Sequence, residues 1–339
     1  MNSQNAKSTL PHRRFTRSAI GLIRQQRSAS ERAFGNDRYR DIEMMAKSYL
    51  RLAATAALSI MTVGAFGSSA SSQAIDAGDY VPAPPGTQLG LLYTQFSHAK
   101  GLYAKGDKID GDAKLDVSVV MPRYVGFTKV GGMTLDYQVL LPFVEIDAGG
   151  STSALGSTRG MGDTILVSTL WLHEDAARKS YFGITPYVYV PTGEYDGAKA
   201  LNPGENRWKG SLQAVWSKGI GERWVGEVAG DVMVYGSNDD YAGGQKLEQD
   251  PTWRVQAFAR YMVDDANEAN LRLMYVGGGE TEINGVAQDN KTGTLSALAT
   301  WRHTFSPQWQ LLSQAGRDLS VENGFKEAGR VQFRLLRVF

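Results

Sequence analysis

Cysteine is absent from this 339-residue chain, so neither disulfides nor thiolate metal sites contribute to it. Histidine is scarce: the 4 residues are His12, His98, His173 and His303. No Ser, His and carboxylate pattern marks a catalytic constellation, and no cofactor is implied. No apolar run reaches the roughly 20 residues that a spanning helix needs. A membrane protein of this composition is therefore a closed barrel, the other way to satisfy every backbone polar group in lipid. An excess of one charge is missing too, with 36 Lys and Arg against 35 Asp and Glu.

That balance is a property of the N-terminus. Residues 1–44 are rich in arginine, including Arg13, Arg14, Arg24 and Arg40, and show no sustained periodicity. They read as an upstream extension ahead of a true start at Met45, disordered and outside the fold. Met45 to Arg51 then supplies a short basic region, Leu52 to Phe66 an apolar run, and Ser72-Gln73-Ala74 a small-x-small cleavage site. Residues 45–74 thus read as a cleaved signal peptide, with the mature chain starting at Ile75. The 265 residues of 75–339 retain 25 basic and 31 acidic side chains, a formal charge of −6. A mildly acidic exported chain is not a nucleic-acid binder.

What is present is alternation. In the last eleven residues Val331, Phe333, Leu335 and Phe339 share one parity, and Arg330, Gln332 and Arg334 the other. This is a strand with an apolar and a polar face. Strand character recurs along 75–339 about twelve times, from Gln88–His98 to Ala328–Phe339, an even number as single-chain bacterial barrels have. Met133, Leu135, Tyr137, Val139, Leu141 and Phe143 oppose Thr134, Asp136 and Gln138. Trp224, Val228, Val232 and Val234 oppose Glu227 and Asp231, and Trp253 and Val255 oppose Arg254, Gln256 and Arg260. A charge on the lipid face costs roughly 2–4 kcal/mol at mid-bilayer, so the polar sets point into a lumen. Trp171, Trp208, Trp224, Trp253, Trp301 and Trp309 fall near strand ends, the position of aromatic girdles.

The connections sort by length. Short ones such as Lys129–Gly132 and Gly219–Arg223 alternate with longer stretches at Lys100–Asp112, Asp147–Gly160, Pro191–Arg207, Gly236–Pro251 and Gly279–Lys291. Short periplasmic turns and long outer loops put both termini in the periplasm. The fold class expected is an all-β, antiparallel transmembrane barrel over 75–339, in the outer membrane of a Gram-negative bacterium. A Pro-rich periplasmic segment, Tyr80–Gly86, would precede it. Phe339, the terminal aromatic, reads as a signal to the outer-membrane assembly machinery. Acidic groups such as Asp107, Asp110 and Asp112, or Asp239 and Asp240, do not match a calcium-loop spacing and read as solvated loop carboxylates, with no metal site.

Asp76-Ala-Gly-Asp79-Tyr80-Val-Pro82-Ala-Pro84-Pro85-Gly86-Thr87, Gly160-Met-Gly162-Asp163, and Pro191-Thr-Gly193-Glu-Tyr195-Asp196 with Leu201-Asn202-Pro-Gly204-Glu-Asn206-Arg207-Trp208 carry a resemblance. They are similar to an outer-membrane family labelled transporters, or proteins of the meta-pathway of phenol degradation, across essentially all of 75–339. The resemblance implies a barrel and the passage of aromatic or other hydrophobic compounds.

The expectation is therefore a passive outer-membrane channel for small molecules, with outer-membrane lipid, the assembly machinery and a small solute as its partners. Its rivals are a closed structural or adhesive barrel and a barrel hydrolase. Arg254, Arg260, Arg272, Arg302, Arg330 and Arg334 carry inward parity on late strands, against Asp136, Glu227 and Asp231 on earlier ones. They form either a selectivity surface with a transverse field or a set of charges that pair and fill the lumen. Asn202, Gly204 and Asn206 fold the loop after Pro191 onto itself, as an ordered turn or as a gate at the barrel mouth.

Overall fold

The structure, a computed structural model, describes residues 75–339; the expected extension 1–44 and signal 45–74 lie outside the described residues. Fifteen strands join in one antiparallel sheet that closes into a barrel of 12 staves. The first two staves are β1 (Gln88–Ala104) and β2 (Asp107–Val130). The third is split into β3 (Met133–Leu140) and β4 (Phe143–Gly149), and the fourth into β5 (Ser157–Met161), β6 (Thr164–Val167) and β7 (Leu170–Asp175). Then follow β8 (Ser180–Val190), β9 (Lys209–Ile220) and β10 (Trp224–Tyr235). Beyond the outer rim, β11 (Asn238–Tyr241) and β12 (Gln245–Gln249) lead to the eighth and ninth staves, β13 (Thr252–Met262) and β14 (Asn267–Gly278). After β15 (Thr281–Ile283) and β16 (Val286–Ala287) come β17 (Thr292–Ser306), β18 (Trp309–Val321) and β19 (Gly324–Val338). Among the described residues no helix is long and apolar enough to cross a membrane.

Closure is direct. β19 pairs with β1 from Leu89 opposite Val338 to Tyr103 opposite Gly324, and the Phe339 N–H donates to the Gln88 carbonyl at 2.9 Å. The two-face pattern holds where the strands are continuous. On β10, Val228 and Val232 are 53% exposed to the lipid side, while Glu227 is 2% and Asp231 7% exposed. β3, β13 and β19 sort the same way, with Arg254, Gln256, Arg260 and Arg334 all buried inside.

The loops differ from expectation in two places. Lys100–Asp112 is not a loop: β1 and β2 run on as a hairpin that turns at Lys105 (φ 53°) and Gly106 (φ 86°), the two positive φ values of a tight primed turn. The hairpin carries no lipid-facing stripe because it stands in water, and a register shift at Lys100/Leu102 breaks its parity. The stretches after β10 and β14 are not irregular either. β11, β12, β15 and β16 from those two loops pair into a separate four-stranded sheet, with Leu247 and Ile283 buried beneath it.

The split staves also have local causes. Pro142 cannot donate to a ladder, and the third stave breaks at Leu141-Pro142. The fourth breaks at Gly162-Asp163, which shifts parity from even to odd residues inward, and again at Ser168-Thr169, where Ile165, Val167, Thr169 and Trp171 keep the odd parity inside. Trp171 is consequently inside the barrel, 1% exposed and packed on Phe127, and not in the girdle. Trp208, Trp224, Trp253, Trp301 and Trp309 do face outward. Replacing Val228 by Arg on the outer face should lower unfolding stability in lipid vesicles by roughly 2–4 kcal/mol in urea titrations, and an unchanged midpoint would contradict the face assignment.

Candidate functional site

The segment before β1 turns up into the lumen. Ile75, Ala77 and Tyr80 are buried against Val215, Ala229 and Phe258 of the wall. Tyr80 is thus an interior residue, not part of a periplasmic linker: its hydroxyl donates to Gln213 at 3.1 Å and bonds Thr185, and its carbonyl accepts the Trp171 indole N–H at 3.0 Å. Asp76 accepts from Gln314 at 2.8 Å and from Arg334 at 3.0 Å. Asp79 accepts from Arg334 at 2.7 Å and pairs with Arg123 at 3.4 Å. Between them the Gly78 N–H donates to Glu227 at 3.1 Å. Gly78 has φ 87°, and a Cβ there would lie 2.7 Å from Arg260 Nη2, so the turn needs glycine twice over. Residues 75–80 form a plug across the lumen, held by carboxylates of their own.

The lumen arginines are largely neutralised. Arg254 pairs with Asp231 at 2.9 Å. Arg260 bridges Glu227 and Glu268, the latter at 2.8 Å, and Arg302 reaches the same Glu268 at 2.6 Å. Arg330 pairs with Glu327 at 2.8 Å. Among the described residues Asp136 pairs with no arginine; it accepts from Gln138 and from the Thr169 N–H, where it fastens the break in the fourth stave. Arg272 is buried as well, but its described contact is a long bond of 3.5 Å to the Ile75 carbonyl. The inward residues thus sit in paired clusters and not as a basic wall opposite an acidic one. Asp76, Asp79, Glu268 and Glu327 were not singled out from the sequence. The signal for them was arithmetic, since six inward arginines faced only three assigned acids.

Above the plug the loop between β8 and β9 folds inward. The Asn202 side chain accepts the Asp196 N–H at 2.8 Å and donates to the Asp196 carbonyl at 3.1 Å, closing the loop on itself. A Cβ on Gly193 would lie 2.7 Å from the Gly204 Cα, so the two backbones touch only because both are glycine. Asp163, in the break of the fourth stave, accepts from the N–H groups of Gly193 and Glu205 at 3.1 and 3.2 Å and pins the loop to the wall. Asn206 donates to Asn238 at 3.1 Å and ties in the neighbouring loop. At the base Glu205 receives Arg207 at 2.7 Å and Lys209, whose ammonium lies 4.7 Å from the Tyr189 ring centroid. Burial pushes the Tyr195 and Tyr241 hydroxyls up from their ordinary pKa, the mark of a packed outer cap.

Between cap and plug lies a chamber of about 60 Å³. Its outer end carries Pro203, Glu205 and Lys209, and its inner end Arg123 and Tyr93, which are bonded to each other at 2.8 Å. Met121, Leu140 and Ile165 line its side. The arrangement offers an apolar wall with a charge at each end. The histidines stand apart: His98 pairs with Asp116 at 2.6 Å on an exposed face, His303 with Asn267 at 2.8 Å and His173 with Ser180 at 3.1 Å.

The sequence matches the family described as "Putative MetA-pathway of phenol degradation" over residues 100–335. Among solved structures it is similar to an outer membrane channel from Pseudomonas putida F1, with 39% identity and a TM-score of 0.76, covering 78% of this chain and 100% of that one. It also resembles the β domain of the Bordetella autotransporter BrkA (9% identity, TM-score 0.46, covering 76% of this chain and 100% of that one). The transport unit of the Escherichia coli autotransporter AIDA-I is comparable (9% identity, TM-score 0.48, 82% and 95%). These two remote likenesses carry no argument. No curated protein matches.

Because cysteine is absent, an Ala77→Cys variant carries one thiol, in the plug. It should resist a hydrophilic maleimide, Ala77 being 3% exposed. Adding Arg334→Gln breaks a buried pair worth roughly 3–5 kcal/mol and should raise the labelling rate on the order of a hundredfold. Equal labelling in both variants would show that Arg334 does not anchor the plug.

Proposed function

The chain belongs to the family of that description, and from this premise we propose that it is a passive outer-membrane channel for small hydrophobic or aromatic molecules. The observation that carries the reading is the chamber between cap and plug, apolar along its wall and charged at both ends. A barrel of twelve staves has a narrow interior, so a solute is filtered by contact and not by bulk flow. Diffusion runs down a gradient from the outer cap, where Asn202, Gly204 and Asn206 set the loop as gate, into the chamber and past the plug. Arg254, Arg260, Arg272, Arg302, Arg330, Arg334, Asp136, Glu227 and Asp231 act as the polar lining below. The similarity to a protein named as an outer membrane channel supports this.

The lumen is filled by paired charges and a plug, which is what a closed structural or adhesive barrel would also need. Planar-bilayer recording separates the two. The wild type should give small, solute-dependent currents, and Arg334→Gln larger ones by several-fold. Silence in both proteins, with each correctly inserted, favours the closed barrel. Catalysis is left out of the proposal because His98, His173 and His303 each pair away from the chamber.

Processing belongs to the same reading. Residues 1–44 are an extension outside the working protein, and 45–74 a signal removed before Ile75. Support comes from the small-x-small stretch Ser72-Gln73-Ala74 directly ahead of Ile75, the first buried residue of the plug. Phe339, 67% exposed at the end of the closing strand, is offered to the assembly machinery. Intact mass of the protein from outer membranes should correspond to Ile75–Phe339; a mass that includes Met45–Ala74 would refute the cleavage site.

A further inference from the structure

Within the lumen Arg272 is an exception. Arg254, Arg260, Arg302, Arg330 and Arg334 each contact a carboxylate, whereas among the described residues no carboxylate reaches Arg272. It is 5% exposed, its Nε has no partner, and the hydrogen bond it makes goes to the Ile75 carbonyl at 3.5 Å. The acids nearest in the plug and on β19 are engaged elsewhere, Asp76 by Arg334 and Gln314 and Glu327 by Arg330. A buried guanidinium with no carboxylate in direct contact is costly, and five donors in a fork fit a carboxylate best.

The surroundings of Arg272 are those of a binding site. Met274, two residues along β14 on the same face, stands opposite Gln256 on β13 and Ser296 on β17. Gln256 is 0% exposed with neither amide atom bonded, and Ser296 is 9% exposed with its Oγ unbonded. Buried polar groups in folded proteins are nearly always satisfied, so this cluster of donors calls for a ligand oxygen. Directly beside Arg272 across both neighbouring strands stand Phe258 and Leu298, buried and apolar. The combination is a guanidinium, an amide and a hydroxyl set in an apolar frame that includes an aromatic ring.

We propose that Arg272, with Gln256 and Ser296, is a binding site for the carboxylate of a small monoanion with an apolar or aromatic body. Phe258, Leu298 and Met274 receive that body. The incoming carboxylate replaces the Ile75 carbonyl as the acceptor for Arg272, so binding and loosening of the plug's first residue are linked. This rests on the channel reading for its role, since it names the solute class the lumen would select, but the site itself is testable without transport.

The test uses 4-fluorobenzoate and 4-fluorophenol as probes, followed by 19F NMR titration of the detergent-solubilised protein. The wild type should bind 4-fluorobenzoate, and Arg272→Gln should bind it on the order of tenfold or more weakly, the usual loss of a charge-assisted hydrogen bond. Binding of 4-fluorophenol, which has the same body without the carboxylate, should differ little between the two. Gln256→Leu and Ser296→Ala, smaller changes that leave Arg272 in place, should each weaken 4-fluorobenzoate. They carry the test if Arg272→Gln fails the heat-modifiability check for a folded barrel. Absence of 4-fluorobenzoate binding to the wild type, or equal affinity in the folded variants, overturns the site. Bilayer currents together with unaltered 4-fluorobenzoate affinity would sink the site and leave the channel. Silence in bilayers with affinity lost on Arg272→Gln would do the reverse.

Discussion

Arg334 lies between Asp76 and Asp79, at 3.0 and 2.7 Å, and the state of the whole lumen turns on that contact. A guanidinium inside a narrow barrel has lost most of its water, and the protein must return the lost solvation through a carboxylate in good geometry. The wall supplies part of this, with Asp231 for Arg254 and Glu227 and Glu268 for Arg260. It does not supply Arg334. The two carboxylates that do so arrive on the segment that blocks the passage, so charge compensation and obstruction are one event.

The remainder of the architecture serves that event. Each stave separates two solvents, lipid outside and a polar interior inside, and the period of two lets one strand satisfy both. Where the strands are interrupted, at Pro142, Gly162-Asp163 and Ser168-Thr169, the freed polar groups take on other work. Asp163 pins the outer loop, and the Thr169 N–H finds Asp136. The chamber therefore borders the irregular staves, with Pro142, Gly162 and Asp163 in its lining. The regular staves on the far side carry the arginine clusters.

Strand faces were legible in the sequence wherever a stave is unbroken. Val228 against Glu227, Trp253 against Arg254 and Phe333 against Arg334 need only parity and the price of a charge in lipid. Trp171 was not legible, because the break at Gly162-Asp163 changes parity before it and turns an expected girdle residue inward. The β1–β2 hairpin was missed for a related reason: above the membrane both faces meet water and alternation has no cause. The plug was the largest omission. Asp76, Gly78 and Asp79 look like linker residues, and what makes them structural lies on distant staves: Gln314 and Arg334 for Asp76, Glu227 for Gly78, and Arg334 with Arg123 for Asp79. The cap fared better, since Asn202 and Gly204 act locally through bonds and approaches that turn chemistry anticipates.

The distance in sequence between the plug and its anchor has a consequence for assembly. Asp76 and Arg334 are 258 residues apart, and Asp79 and Arg334 are 255 apart. Arg334 sits on the stave that completes the ring, beside β1, into which the plug leads. Asp76 therefore waits without its counter-ion until the last strand has arrived, while Asp79 has only Arg123 of β2. Contacts of such high order form late. Sealing of the seam and seating of the plug are then a single final step, and a barrel that has not yet joined β19 to β1 is open along its length as well as along its side.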